Sequence, residues 1–145
     1  MAQTLRVQFE AVGQSTTRAT ARLHTVHVDR PTAKGGEDRG PLGGEYLLVA
    51  LGGCFMSNLL AAIRARETAI SNVRADVTAT LDGPPDRFTD FIVAVSADRT
   101  DPDDVRKLIA IAARACAVTN TLGKAAAVSF VFEGTEVDVG QGWKT

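Results

Sequence analysis

The sequence predicts an α+β fold in which antiparallel sheets wrap around two central apolar helices, for three reasons. Strand-forming segments come in pairs separated by turn residues, the pattern of hairpins and so of antiparallel pairing. One long segment, GGEYLLVALGGCFMSNLLAAI, is apolar almost all round at helical spacing. A second helix carries start and stop signals and a single apolar stripe, so both helices need sheets to cover them.

In chain order, residues 5–12, LRVQFEAV, and 18–29, RATARLHTVHVD, flank the polar GQSTT and read as a first hairpin. Its second strand carries both histidines. At an odd spacing on a strand, His24 and His27 point to opposite faces and are poorly placed to chelate one metal, so no metal site is expected. Residues 30–44, RPTAKGGEDRGPLGG, form a loop by their proline, glycine and charge content and lead into the first helix, about 45–67.

Next, SNVRADVTATL puts Val73, Ala75, Val77, Ala79 and Leu81 on one face and Asn72, Arg74, Asp76, Thr78 and Thr80 on the other. This is a strand with one wet side. DGPPDRFTD is a turn, and FIVAVSA returns as the hairpin partner. In the second helix Thr100 or Asp101 caps the start, Pro102 suits the first turn, Asp103 and Asp104 complement the positive helix end, and Gly123 terminates it. The stripe is Val105, Leu108, Ile109, Ala112 and Cys116. AAAVSFVFEGTEVDVG closes the chain as a strand or two, and no sequence period marks a repeat protein.

With 145 residues, 45% of them hydrophobic, the chain has enough apolar material for one domain spanning 1–145. Lys and Arg number 16 against 17 Asp and Glu, so no basic stripe points to nucleic acid. The start, MAQTLRVQFEAVG, has neither the pattern of a secretion signal nor an apolar run long enough for a membrane, which points to a cytoplasmic protein. The first helix is too apolar for one small sheet to cover, and a second copy of the chain is the simplest cover, so a homodimer is expected.

The chemistry centres on the two cysteines. In a reducing compartment they are inert buried thiols or redox groups rather than a permanent disulfide. They lie 62 residues apart, which excludes a CxxC motif, but each falls on an inward helix face, so the fold can bring them together. Gly52 and Gly53 each cost a helix about 1 kcal/mol relative to alanine; they remove side chains where a backbone comes close and leave an open approach beside Cys54. Leu51, Gly53 and Phe55 are the candidate pocket residues around that thiol. Two inward thiols suit a peroxidase cycle: one becomes a sulfenic acid, and the other condenses with it to a disulfide. Burial raises a thiol pKa, so a cation must support the reactive thiolate. The helix neighbours of Cys54, Ala50, Leu51, Ser57 and Asn58, supply none, which leaves Arg18, Arg22 and Arg39 as candidates.

The segment GPLGGEYLLVALGGCFMSNLL, preceded by VHVDRPTAKGGED and followed by ARACAVTNTLGKAAAVSFVFEG, resembles the OsmC/Ohr family of osmotically induced and organic-hydroperoxide-resistance proteins. The likeness runs from about residue 5 to 137 and includes a cysteine in each helix, the glycine-rich approach and the strand order. It implies an intertwined homodimer with active sites at the subunit interface and thiol-dependent reduction of alkyl or lipid hydroperoxides. Cys54 matches the peroxidatic cysteine and Cys116 the resolving one. The family's early arginine is assigned here to Arg18, just after the first turn, and its glutamate to Glu45. No bound cofactor is implied; an external dithiol of the lipoyl type reopens the disulfide. Two departures stand out. The family's glutamate position, ten residues before the cysteine, is held by Gly44, and Ala117 stands where many members have proline after the second cysteine. Glu45, nine residues before Cys54, lies about 180° around a continuous helix from it. The missing glutamate favours a second reading: a non-catalytic dimer that binds a small apolar ligand at its interface, or a redox sensor.

Overall fold

The computed structural model describes residues 1–140; the last five residues of the expected domain, 141–145, lie outside the described residues. The chain divides into two compact units, one of residues 1–47 and one from Leu48 onward.

The first unit is a three-stranded antiparallel sheet of β1 (Gln8–Ala11), β2 (Thr17–Ala21) and β3 (His24–Val28). The single strand expected over 18–29 is therefore two. Arg22, at φ 57, turns the chain back between them, and a left-handed turn on a residue other than glycine leaves no compositional mark. His24 and His27 both sit on β3 with exposed side chains. Immediately after β3, Asp29 is only 3% exposed. It accepts hydrogen bonds from the Thr16 hydroxyl at 2.6 Å and from the backbone N–H groups of Arg30 at 2.7 Å and Arg39 at 3.1 Å. Burial raises its carboxyl, but the bonds from Thr16, Ser15, Arg39 and Arg30 outweigh that and hold it well below the usual carboxylate range. Glu37 accepts from the Ser15 N–H and the Thr16 hydroxyl, so the loop of residues 30–39 is tied to the sheet.

In the second unit, β4 (Ile70–Asp82) and β5 (Arg87–Arg99) form a long hairpin, with Val77 opposite Val93 and Ala79 opposite Phe91. The sheet continues through β6 (Ala127–Phe132) to β7 (Thr135–Glu136). Here one pair is parallel, β5 with β6. Two helices, α2 (Pro102–Ala115) and α3 (Ala117–Leu122), lie between those strands, and parallel neighbours need such a crossover.

Alternate residues of the sheet are buried: Phe91, Val93 and Val95 on β5, and Val128, Phe130 and Phe132 on β6. Against them α1 (Gly43–Arg66) contributes Leu51, Phe55 and Leu59. The Phe55 and Phe130 rings meet at 4.7 Å. Gly52 is buried here, and a methyl group on it would lie 3.0 Å from Cγ2 of Val77. Gly53 is exposed, with nothing within 4 Å of the corresponding position. The sequence predicts a close backbone approach at both glycines; the structure has a close approach at Gly52 alone, and it comes from the Val77 side chain.

The start of α2 is as its signals predict, since the Asp101 carboxylate accepts from the Asp103 N–H at 2.9 Å and Pro102 opens the helix. Its stripe of Val105, Leu108, Ile109, Ala112 and Cys116 is fully buried. The helix does not run on to Gly123. It breaks at Cys116, which is extended at φ −80, ψ 111, and Gly123 ends α3 instead. Much of α1 stays open within its own chain, with Val49 59% exposed. By length and composition alone α1 is apolar enough to cross a membrane, a test that core helices also pass.

Candidate active site

Cys54 lies on α1, half-buried and free, one turn after Leu51 and one residue after the exposed Gly53. Four residues on, Asn58 faces the same way, as helical spacing requires. Its amide donates to the Cys54 carbonyl at 2.9 Å and lies 3.9 Å from the Cys54 sulfur.

Cys116 is also free and is completely buried. Because α2 ends at Ala115 and α3 begins at Ala117, Cys116 stands as the cap of α3, and its sulfur accepts from the Thr119 N–H at 3.4 Å. Burial pushes the Cys116 thiol up, Thr119 partly offsets this, and the neighbouring Cys54 thiol raises it further. The two thiols are thus neighbours in the core of the second unit. The fold has brought together residues 62 positions apart in the sequence.

The other expected catalytic residues make contacts within the first unit. Arg18, on β2, forms an ion pair with Glu10 at 2.7 Å and lies opposite Glu10 on β1 and His27 on β3. Glu45 is in the first turn of α1, where its carboxylate accepts from the Leu42 N–H at 2.8 Å. That is half of a capping box, in which the third helical residue reaches back to the residue before the helix. Both belong to the first unit, and each is engaged there. Leu51 and Phe55, expected to line a pocket, are 0% exposed and form part of the core; Gly53 alone of the three is open. No three His, Cys, Asp or Glu side chains converge to hold a metal ion among the described residues.

Two polar contacts of the thiols were not assigned from the sequence. Asn58 could have been, because a residue four on from a helical cysteine shares its face. Thr119 could not, since its contact depends on the break at Cys116. Ala117 is the first residue of α3, a place that proline favours; the break forms here without it.

A half-buried thiol beside a buried one, on helices packed with a mixed sheet, makes this an α+β protein with two neighbouring free thiols. The chain belongs to the OsmC-like protein family, whose model matches residues 35–131. Its fold is similar to that of an OsmC like protein from Mycoplasma pneumoniae, at 15% identity over 91% of this chain and 99% of that one, with a TM-score of 0.77. It is also similar to organic hydroperoxide resistance proteins from two bacteria. The Legionella pneumophila protein is 15% identical over 91% of this chain and 98% of its own, with a TM-score of 0.71. The Elizabethkingia anophelis protein is 14% identical over 93% and 100%, with a TM-score of 0.70. No curated protein sequence matches the chain.

Proposed function

We propose that this protein is a homodimeric, cysteine-based peroxidase that reduces alkyl or lipid hydroperoxides in oxidative-stress defence. The observation that carries the reading is the neighbouring pair of free thiols, Cys54 half-buried and Cys116 buried. The family also contains proteins named for organic hydroperoxide resistance, which supports the substrate class.

The Cys54 thiolate attacks the terminal, hydroxyl-bearing oxygen of the peroxide, the O–O bond breaks, and the alkoxide leaves as an alcohol after taking up a proton. Cys54 is then a sulfenic acid. Cys116 displaces its oxygen as water, and a disulfide forms. An external dithiol of the lipoyl type supplies two electrons and restores both thiols. Arg18 is the cation proposed to support the thiolate, which requires it to leave Glu10 when substrate binds. The open side of Gly53 admits the substrate, and the bare apolar residues of α1, Val49 among them, are covered by the second subunit.

Steady-state consumption of cumene hydroperoxide with dihydrolipoamide tests this, with hydrogen peroxide run in parallel. Turnover that favours the organic peroxide and vanishes in Cys54→Ser supports the reading; no turnover with either peroxide refutes it. One observation favours the non-catalytic alternative: Glu45 is committed to the Leu42 N–H. In that case the protein would bind a small apolar ligand without consuming peroxide.

A further inference from the structure

The Thr119 side chain is 0% exposed, and its hydroxyl has no hydrogen-bond partner. Buried hydroxyls are almost always paired, so an orphan in a close-packed core calls for an explanation. Its position supplies one. The Thr119 backbone N–H already points at the Cys116 sulfur, at 3.4 Å. Thr119 favours the ionised form of that sulfur through both its side chain and its backbone, against the burial that opposes it. A hydroxyl hydrogen turns freely about its C–O bond. It can therefore wait unpaired beside a neutral thiol and donate once that sulfur carries charge, forming one of the stronger, charge-assisted hydrogen bonds.

We propose that Thr119 is a positioning residue for Cys116, holding its sulfur anion with the backbone N–H and the hydroxyl while the disulfide forms and opens. This rests on the peroxidase reading. In the forward step the Cys116 thiolate bonds to the Cys54 sulfur, the S–O bond of the sulfenic acid breaks, and the oxygen leaves as water with the proton that Cys116 gave up. In the return step a dithiol reductant attacks the Cys54 sulfur, Cys116 leaves as thiolate, and the dithiol closes to its own disulfide. In both steps negative charge appears on the Cys116 sulfur inside the core, where burial opposes it. Thr119 is the polar group that faces it from α3, and Cys54 faces it from α1.

The test compares wild type with Thr119→Val, which keeps the shape and removes the hydroxyl, and Thr119→Ser, which restores it. Sulfenic acid formation on Cys54 after one equivalent of cumene hydroperoxide should be equal in all three. Disulfide formation should be about tenfold slower at pH 7 in Thr119→Val, its pH profile displaced upward by about one unit, the effect of one hydrogen bond to a charged group. Thr119→Ser should match wild type. Equal condensation rates and profiles in all three would overturn the proposal. Absorbance titration of the Cys116 thiolate in a Cys54→Ser background needs no peroxide, so it separates this proposal from the peroxidase reading. Adding Thr119→Val there should raise the midpoint by about one unit, and an unmoved midpoint overturns the role of the hydroxyl even if turnover is absent. If valine does not fold, Thr119→Ala is titrated in its place.

Discussion

Gly52 offers a perturbation whose sign depends on one distance. Alanine in place of a mid-helix glycine stabilises a helix by about 1 kcal/mol. Here the new methyl group would lie 3.0 Å from Cγ2 of Val77 on β4. Valine is stiff about its first side-chain torsion and cannot swing that methyl aside, so the helix or the strand must shift, and overpacking of this kind costs about 1–3 kcal/mol. Gly52→Ala should therefore be neutral or destabilising, by up to about 2 kcal/mol, despite its better helix propensity. Removing the obstacle reverses the sign. In a Val77→Ala background the same substitution should stabilise the protein by about 1 kcal/mol, because only the propensity gain remains. Urea unfolding of the four proteins at one protein concentration gives the cycle. Equal stabilisation by Gly52→Ala in both backgrounds would refute the close approach between α1 and β4.

Further outcomes follow from other contacts. Phe130→Ala removes a fully buried ring that packs at a tilt against Phe55 and should cost about 3–5 kcal/mol by denaturant unfolding; a loss below about 1 kcal/mol would contradict this core. Arg18 and Glu10 are 42% and 68% exposed, so Arg18→Ala should change stability by less than about 1 kcal/mol while slowing peroxide turnover at least tenfold; unchanged turnover removes Arg18 from the site. Asp29 and Glu37 have folded-state pKa values below their ordinary ones. Their stabilisation is complete above the unfolded-state pKa, about 4, and is lost as pH falls from there toward the folded values. Asp29→Asn should flatten the acid side of the stability profile, and a profile parallel to wild type between about pH 5 and 2 would contradict the network.

The sequence is most legible where periodicity is strong. The long apolar segment and the alternation of Val73, Ala75, Val77 and Ala79 point directly to α1 and β4. The capping chemistry around Asp101 and Pro102 places the start of α2. Features that depend on single backbone angles were hidden. The turn at Arg22 and the break at Cys116 occur without glycine or proline at those positions. The parallel pairing of β6 was also hidden, because it depends on where the crossover returns the chain rather than on local pattern. At the site, the inward placement of both cysteines follows from the helical stripes. The partners of Arg18 and Glu45 do not, since a cross-strand ion pair and a backbone cap depend on strand register and on where α1 begins.

The central claim is that Cys54 and Cys116 form a redox couple. Peptide mass mapping and thiol counting before and after one equivalent of cumene hydroperoxide, without reductant, test it most directly. The account predicts rapid loss of both thiols to a Cys54–Cys116 disulfide within one chain, reopened by dihydrolipoamide. Survival of both thiols, or oxidation of Cys54 to sulfinic acid with Cys116 left free, would contradict it.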